Sequence, residues 1–162
     1  MSLGSSTIRL ATAHDAAALA ALRGALFRKL GEAPLAEAAA AFEERAAATF
    51  VAGIGRGHCF AWLAETEAGH PVGSVALLLY PRLPTPDSPS DREGYLLNVY
   101  TVPEWRSRGV ASALVAAAVA KGRELGMARI RLHATAEGRP LYAAAGFVPR
   151  DDEMELRLTG SR

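Results

Sequence analysis

The sequence predicts a mixed α/β fold, and three observations carry that prediction. Strand-like and helix-like segments alternate along the chain, residues 96–132 read as a strand–helix–strand crossover, and neither an internal repeat nor a linker breaks the order. At 162 residues, half of them hydrophobic and 22% charged, the chain is sized for one domain with its own core, spanning 1–162.

The elements follow in order. Ile8–Ala11 alternates as a short strand. Thr12 or Asp15 is placed to cap a helix whose apolar stripe is Leu19, Leu22, Leu26, Phe27 and Leu30, with Gly31 as its stop. Pro34 opens a second, alanine-rich helix to about Ile54, where Gly53, Gly55 and Gly57 break it. His58–Ala64 and Val72–Tyr80 form a hairpin across Ala68-Gly69-His70. The stretch Pro81–Asp91, with prolines at 81, 84, 86 and 89, is a loop, either a surface connection or one wall of a site. Tyr95–Val102 is a strand ended by Pro103, and Ser107–Leu125 is a helix with Gly126 beyond its end. Arg129–Ala134 is a strand, Pro140–Ala145 a short helix closed by Gly146, and Phe147–Val148 and Met154–Leu158 the last strands.

The bulk chemistry excludes several classes. A formal net charge of +1 supplies no global field for nucleic acid or membrane, so any phosphate site must be built locally. Cys59 stands alone, which rules out an internal disulfide and a cysteine-based metal site and fits a reducing cytoplasm. His14, His58, His70 and His133 show no ligand spacing, so no metal is expected. Residues 1–6 lack the basic start and apolar stretch of a secretory signal and read as disordered or a cloning remnant. Each alanine-rich run is interrupted by charge before reaching membrane-spanning length.

One turn carries chemistry. Between the strand ending at Pro103 and the helix beginning near Ser107 lies Arg106-Ser107-Arg108-Gly109-Val110-Ala111. Helix starts leave backbone N–H groups unpaired and partly positive, and so bind anions. Gly109 has no side chain to hold a phosphate off its N–H, Ala111 and Ser112 keep the next positions small, and Arg106 and Arg108 add forked donors. Taken alone, such a turn is more often an ordinary surface corner. Neither Gly-x-x-x-x-Gly-Lys-Ser/Thr nor Gly-x-Gly-x-x-Gly occurs, so the two common nucleotide loops are excluded.

The flanks narrow the reading. The run from Asn98 to Ala111, Asn-Val-Tyr-Thr-Val-Pro-Glu-Trp-Arg-Ser-Arg-Gly-Val-Ala, resembles the core motif of the GNAT superfamily of N-acetyltransferases, Arg/Gln-x-x-Gly-x-Gly/Ala after a strand and a Pro-Glu. Leu141-Tyr142-Ala143-Ala144-Ala145-Gly146-Phe147 resembles the family's Leu-Tyr-x-x-x-Gly-Phe. The resemblance runs in order from Ile8 to the C-terminus, but only 98–147 is diagnostic. It implies a mostly antiparallel sheet of about six to seven strands flanked by about four helices, with splayed central strands. It also implies acetyl-CoA and an amine acceptor as partners; the charge balance points to no nucleic acid and no membrane, and a homodimer is compatible with the sequence. Thr101 and Val102 would offer backbone groups to pantetheine, and Arg106, Ser107, Arg108, Gly109, Val110, Ala111 and Ser112 would hold the pyrophosphate. Where many members carry an asparagine ahead of the motif tyrosine, this chain has Thr135, with a single hydroxyl in place of an amide.

Transfer to an amine requires a deprotonated amine, a stabilised oxyanion and a protonated leaving thiolate. Tyr142 suits the acid by family position and by chemistry, and the resemblance places the oxyanion at a backbone N–H of the splayed strand, that of Thr101. Glu93, at the mouth of that strand, is the first carboxylate to test as base, and Asn98 is a polar residue placed to orient substrate or water. Cys59 and Trp62 read as packing residues, while Trp105 could also line the cofactor cleft. A non-catalytic acyl-CoA sensor of the same fold and a general nucleotide-phosphate binder are the competing functions.

Overall fold

The first helix is entered through a tight local arrangement. After β1 (Ser6–Leu10), a single turn of 3₁₀ helix at Ala13–Asp15 folds the Asp15 carboxylate back to accept from the Thr12 N–H at 2.7 Å. The same carboxylate takes a fork from Arg9, which also grips Glu65 on the neighbouring strand at 2.6 Å. Both Thr12 and Asp15 therefore act at this helix start. In this computed structural model residues 5–32 and 36–159 are described. The expected Pro34 start of the second helix lies outside them, whereas Ser5 and Ser6 are ordered, Ser6 pairing with Thr66.

Helix α1 (Ala16–Leu30) buries Leu19 and Leu22 and ends at Gly31, whose φ of 71° lets the chain turn out of the helix. Helix α2 (Ala36–Gly55) follows, then β2 (Cys59–Thr66), β3 (Pro71–Pro81) and β4 (Arg92–Thr101). Helix α3 (Val110–Glu124), the two-residue β5 (Ile130–Arg131) and α4 (Arg139–Ala144) complete the elements. The sheet order is β1-β2-β3-β4-β5, antiparallel except for the parallel β4–β5 pair. Parallel pairing there follows from the α3 crossover.

Two apolar clusters cover the two faces. Leu19, Leu22, Phe50, Leu63 and Tyr100 gather beneath α1 and α2, and Val75, Leu77, Leu96, Leu114 and Val115 beneath α3. Gly122 lets α3 settle on the sheet, since a Cβ there would stand 2.6 Å from Ile130 Cδ1. Cys59 is buried among the first group and its thiol is pushed up to about 11 by burial, as befits a small hydrophobe.

Three expectations are corrected. The described residues hold five strands, because 147–159 form no ladder and Met154, Leu156 and Leu158 stand exposed. Alternation assigns a face to a strand, but a strand also needs an edge to pair with, and β5 is two residues long. Helix α3 starts at Val110, not Ser107, since Ser107 (φ 58°) and Gly109 (φ 79°) are left-handed. The proline loop is no wall of the site. Arg82 ties it back on itself through Thr85, Ser88 and the Ser90 carbonyl, and 82–91 do not reach the cavity described next.

Candidate active site

The site arises where β4 outruns its neighbour. Strand β5 pairs only Gly94↔Ile130 and Tyr95↔Arg131, so Leu96–Thr101 present an edge to β5 with no strand on it. Beside this edge lies a cavity of about 790 Å³, lined from α1, β4, the turn into α3, and the segment leading into α4.

A bulge shapes the strand within it. Ser74 pairs with Tyr100 but Ala76 pairs with Leu97, so Asn98 and Val99 together face Val75 alone. Leu97 and Tyr100, three residues apart, consequently pack on the same face. Asn98 occupies the left-handed region at φ 58°, a conformation asparagine tolerates better than most residues. Its Nδ2 donates to Ser74 Oγ at 3.1 Å, and Ser74 Oγ donates to the Asn98 carbonyl at 3.1 Å. The amide oxygen of Asn98 is buried at the cavity without a partner, as is the Thr101 hydroxyl. Both atoms belong to residues that line the cavity.

Above the bulge, the backbone sorts itself between β3 and the cavity. Val102 N–H donates to the Val72 carbonyl at 2.9 Å. Alternation along the strand then turns the N–H and C=O of Thr101 away from β3, toward the open edge. Arg106 Nε donates to that carbonyl at 3.1 Å, which fixes the start of the turn against the strand. Val102 is therefore corrected as a cofactor ligand: its N–H is spent within the sheet, and it is not among the cavity residues.

The turn into α3 is an anion nest. The first bond of its ladder runs from Ala113 N–H to the Gly109 carbonyl at 2.9 Å, which leaves the N–H groups of Val110, Ala111 and Ser112 outside the helix ladder. Arg106, Ser107, Gly109, Val110, Ala111 and Ser112 all line the cavity. A Cβ on Gly109 would meet nothing within 4 Å, so open space faces it and only the left-handed backbone demands glycine. Arg108 does not line the cavity but stacks over the buried Trp105 ring at 5.3 Å. Trp105 itself lines the cleft.

Across the cleft, Thr135 lies in the turn that leads into α4. Its Oγ1 accepts from Gly138 N–H at 3.2 Å, leaving the hydroxyl proton for a ligand. Tyr142 on α4 faces the same cavity and stacks edge-on against Phe147 at 6.0 Å. Burial raises its phenol above the ordinary value of 10, so it stays protonated at neutral pH.

Glu93 is not the base that the sequence suggested. It is 6% exposed, lies outside the cavity lining, and receives Arg129 Nε at 2.8 Å and Arg131 at 2.5 Å, with Arg82 3.9 Å away. Burial pushes its pKa up, but the two arginine bonds outweigh that and hold it below 4.5. A carboxylate so held is a poor proton acceptor and a good clasp between β3, β4 and the β5 segment. Glu93→Gln is expected to destabilise the fold by about 2 kcal/mol, the scale of lost charge-assisted hydrogen bonds. Because the folded pKa is depressed, the clasp stabilises above the unfolded value and fades as pH falls below 4.5, so the loss is read as a lower melting temperature at pH 7 that narrows in acid.

Tyr95, whose hydroxyl hydrogen-bonds His133 Nδ1, His133 itself, and Arg23 on α1 are among the cavity residues that sequence reading missed. His133 was visible as a polar residue in a strand, but its partner is supplied by the neighbouring strand. Among the described residues no group of three or more His, Cys, Asp or Glu is placed to hold a metal, and no helix is long and apolar enough to cross a membrane.

A bulged strand with an open edge, an anion nest at the next helix and a facing tyrosine define a site for an extended ligand with a phosphate end. A sequence profile of the acetyltransferase (GNAT) family matches residues 23–147, and the chain belongs to that family. It is similar to a GCN5-related N-acetyltransferase from Ralstonia eutropha JMP134, with 33% identity, TM-score 0.82, and coverage of 96% of this chain and 100% of that one. It is also similar to a predicted acetyltransferase from Clostridium acetobutylicum, solved with acetyl-CoA, with 25% identity, TM-score 0.84, and coverage of 95% and 97% respectively. No curated protein sequence matches the chain.

Proposed function

We propose that this single-domain protein transfers an acetyl group from acetyl-CoA to the primary amine of a small molecule or peptide by direct attack. The observation that carries the reading is the convergence on one cavity of the α3 nest, the Leu96–Thr101 open edge and the Tyr142 hydroxyl. The fit is chemical: Arg106, Ser107 and the N–H groups of Gly109 to Ser112 suit a diphosphate, the outward Thr101 groups suit an amide-bearing arm, and Thr135 retains a donor. Acetyl-CoA supplies an activated thioester. The N–H of Thr101, turned to the open edge, stabilises the oxygen that gains charge. Tyr142 donates its proton to the departing sulfur. Asn98 lines the cavity beside the open edge and serves to orient the incoming amine.

The amine proton has a receiver in Tyr95 and His133. The Tyr95 oxygen takes the proton while its own passes to His133 Nδ1, a relay that needs no carboxylate. His133→Phe is expected to lower kcat about 10-fold or more with acetyl-CoA affinity unchanged. An unchanged kcat would remove His133 from the reaction. Thiol release from acetyl-CoA across a panel of amines tests the reading as a whole. Tight binding of acetyl-CoA with no release on any amine would leave a non-catalytic sensor, and equal stabilisation by ATP or NAD would point to a general phosphate binder.

A further inference from the structure

The cavity has a second cationic feature, which the cofactor reading does not use. Arg23 lines it from α1, whose buried residues pack on the sheet face opposite the one that carries α3. The phosphate nest and Arg23 thus approach the open β4 edge from different faces. Arg23 has no carboxylate within ion-pair distance among the described residues; its guanidinium lies over the Phe27 ring, 4.9 Å from the centroid. The other cations of the cavity are engaged, Lys29 with Glu137 at 2.8 Å and Arg106 with the Thr101 carbonyl. Burial without a counter-charge lowers the pKa of Arg23, a cost that an incoming anion would relieve. Leu26, Phe27 and Leu97 surround this end with apolar surface.

Resting on the acetyl-transfer reading, we propose that Arg23 binds an anionic group on the acceptor. The acceptor class is then a small amine whose other end carries a carboxylate or phosphate, joined by an apolar stretch. A planar fork with no partner is suited to a bidentate oxyanion, and a ligand clamped at that end is oriented with its amine toward the β4 bulge.

The test compares ω-amino carboxylates of graded length, the matching aminoalkyl phosphates, simple alkylamines and alkyl diamines. One anionic series is expected to exceed the alkylamines in kcat/KM by about 10-fold or more, and whichever series does so identifies the oxyanion. Arg23→Gln is expected to remove that preference, raising KM for the anionic amines about 10- to 100-fold with kcat and acetyl-CoA affinity little changed. Arg23→Lys should recover part of it, since charge returns without the fork, and Arg23→Glu should turn the preference toward diamines. Equal use of alkylamines, an unaltered KM in Arg23→Gln, or loss of acetyl-CoA binding in that variant would overturn the assignment. If no amine is turned over, the acetyl-transfer reading fails separately. Calorimetry of the same anionic amines on the CoA-loaded protein then decides: binding lost in Arg23→Gln supports the site, and no binding to the wild type refutes it.

Discussion

Gly109→Asp is expected to abolish acetyl-CoA binding while leaving the fold intact. Aspartate is among the few residues that tolerate the left-handed backbone, and no protein atom lies within 4 Å of the Cβ it would add, so neither strain nor clash should dominate. What changes is charge. The new carboxylate would stand on a residue that lines the cavity at the start of the nest, near the position proposed for the diphosphate. Two unit charges about 4 Å apart at an effective dielectric of ~20 repel by about 4 kcal/mol, or roughly 10³-fold in affinity. Gly109→Asn, with the same shape and backbone tolerance but no charge, separates the effects and should lose far less. Calorimetric titration of acetyl-CoA reads both, and an unchanged affinity in Gly109→Asp would refute the turn as the phosphate site.

Tyr142→Phe should keep the cofactor and lose the reaction. Removing the hydroxyl leaves the ring, its edge contact with Phe147 and the α4 backbone in place, so acetyl-CoA affinity should change little. Losing a general acid typically costs 10²- to 10⁴-fold; with water able to substitute, at least ~10-fold in kcat is expected. The pH profile adds a signature. Burial raises the Tyr142 pKa, so the wild-type rate should hold through neutral pH and fall only on an alkaline limb above 10. That limb should be missing in the phenylalanine variant. Equal losses of binding and rate would instead make Tyr142 a packing residue.

These two variants concern residues that the sequence displayed plainly, and the reason is locality. The nest is made by consecutive residues whose backbone conformation depends on themselves, with Gly109 supplying the left-handed turn and Val110 starting the helix. Tyr142 follows the same logic, fixed on a short helix entered through the Thr135–Gly138 turn and closed by Gly146. The mixed α/β order, the hairpin and the end of α1 at Gly31 were legible for the same reason, since periodicity and punctuation act within a few residues.

What escaped the sequence depends on partners far along the chain. Glu93 looked like a free carboxylate at a strand mouth until the sheet brought Arg82 from the loop after β3 and Arg129 and Arg131 from the β5 segment against it. The strand pattern of Tyr95–Val102 carried no sign of the bulge at Asn98 and Val99, which exists only relative to β3. The run Met154–Leu158 had the pattern of a strand, but a ladder also requires an edge, and that edge is two residues long. Arg23 carried no signal at all: an arginine on a helix acquires meaning only when a cavity forms beside it and no carboxylate does. By itself, then, the sequence determined the fold class, the glycine turn into α3 and the short helix that carries Tyr142, because each is encoded by neighbours in the chain. Tertiary structure alone decided which charges are spent and which are free, because ion pairing and burial are set by distances across the sheet.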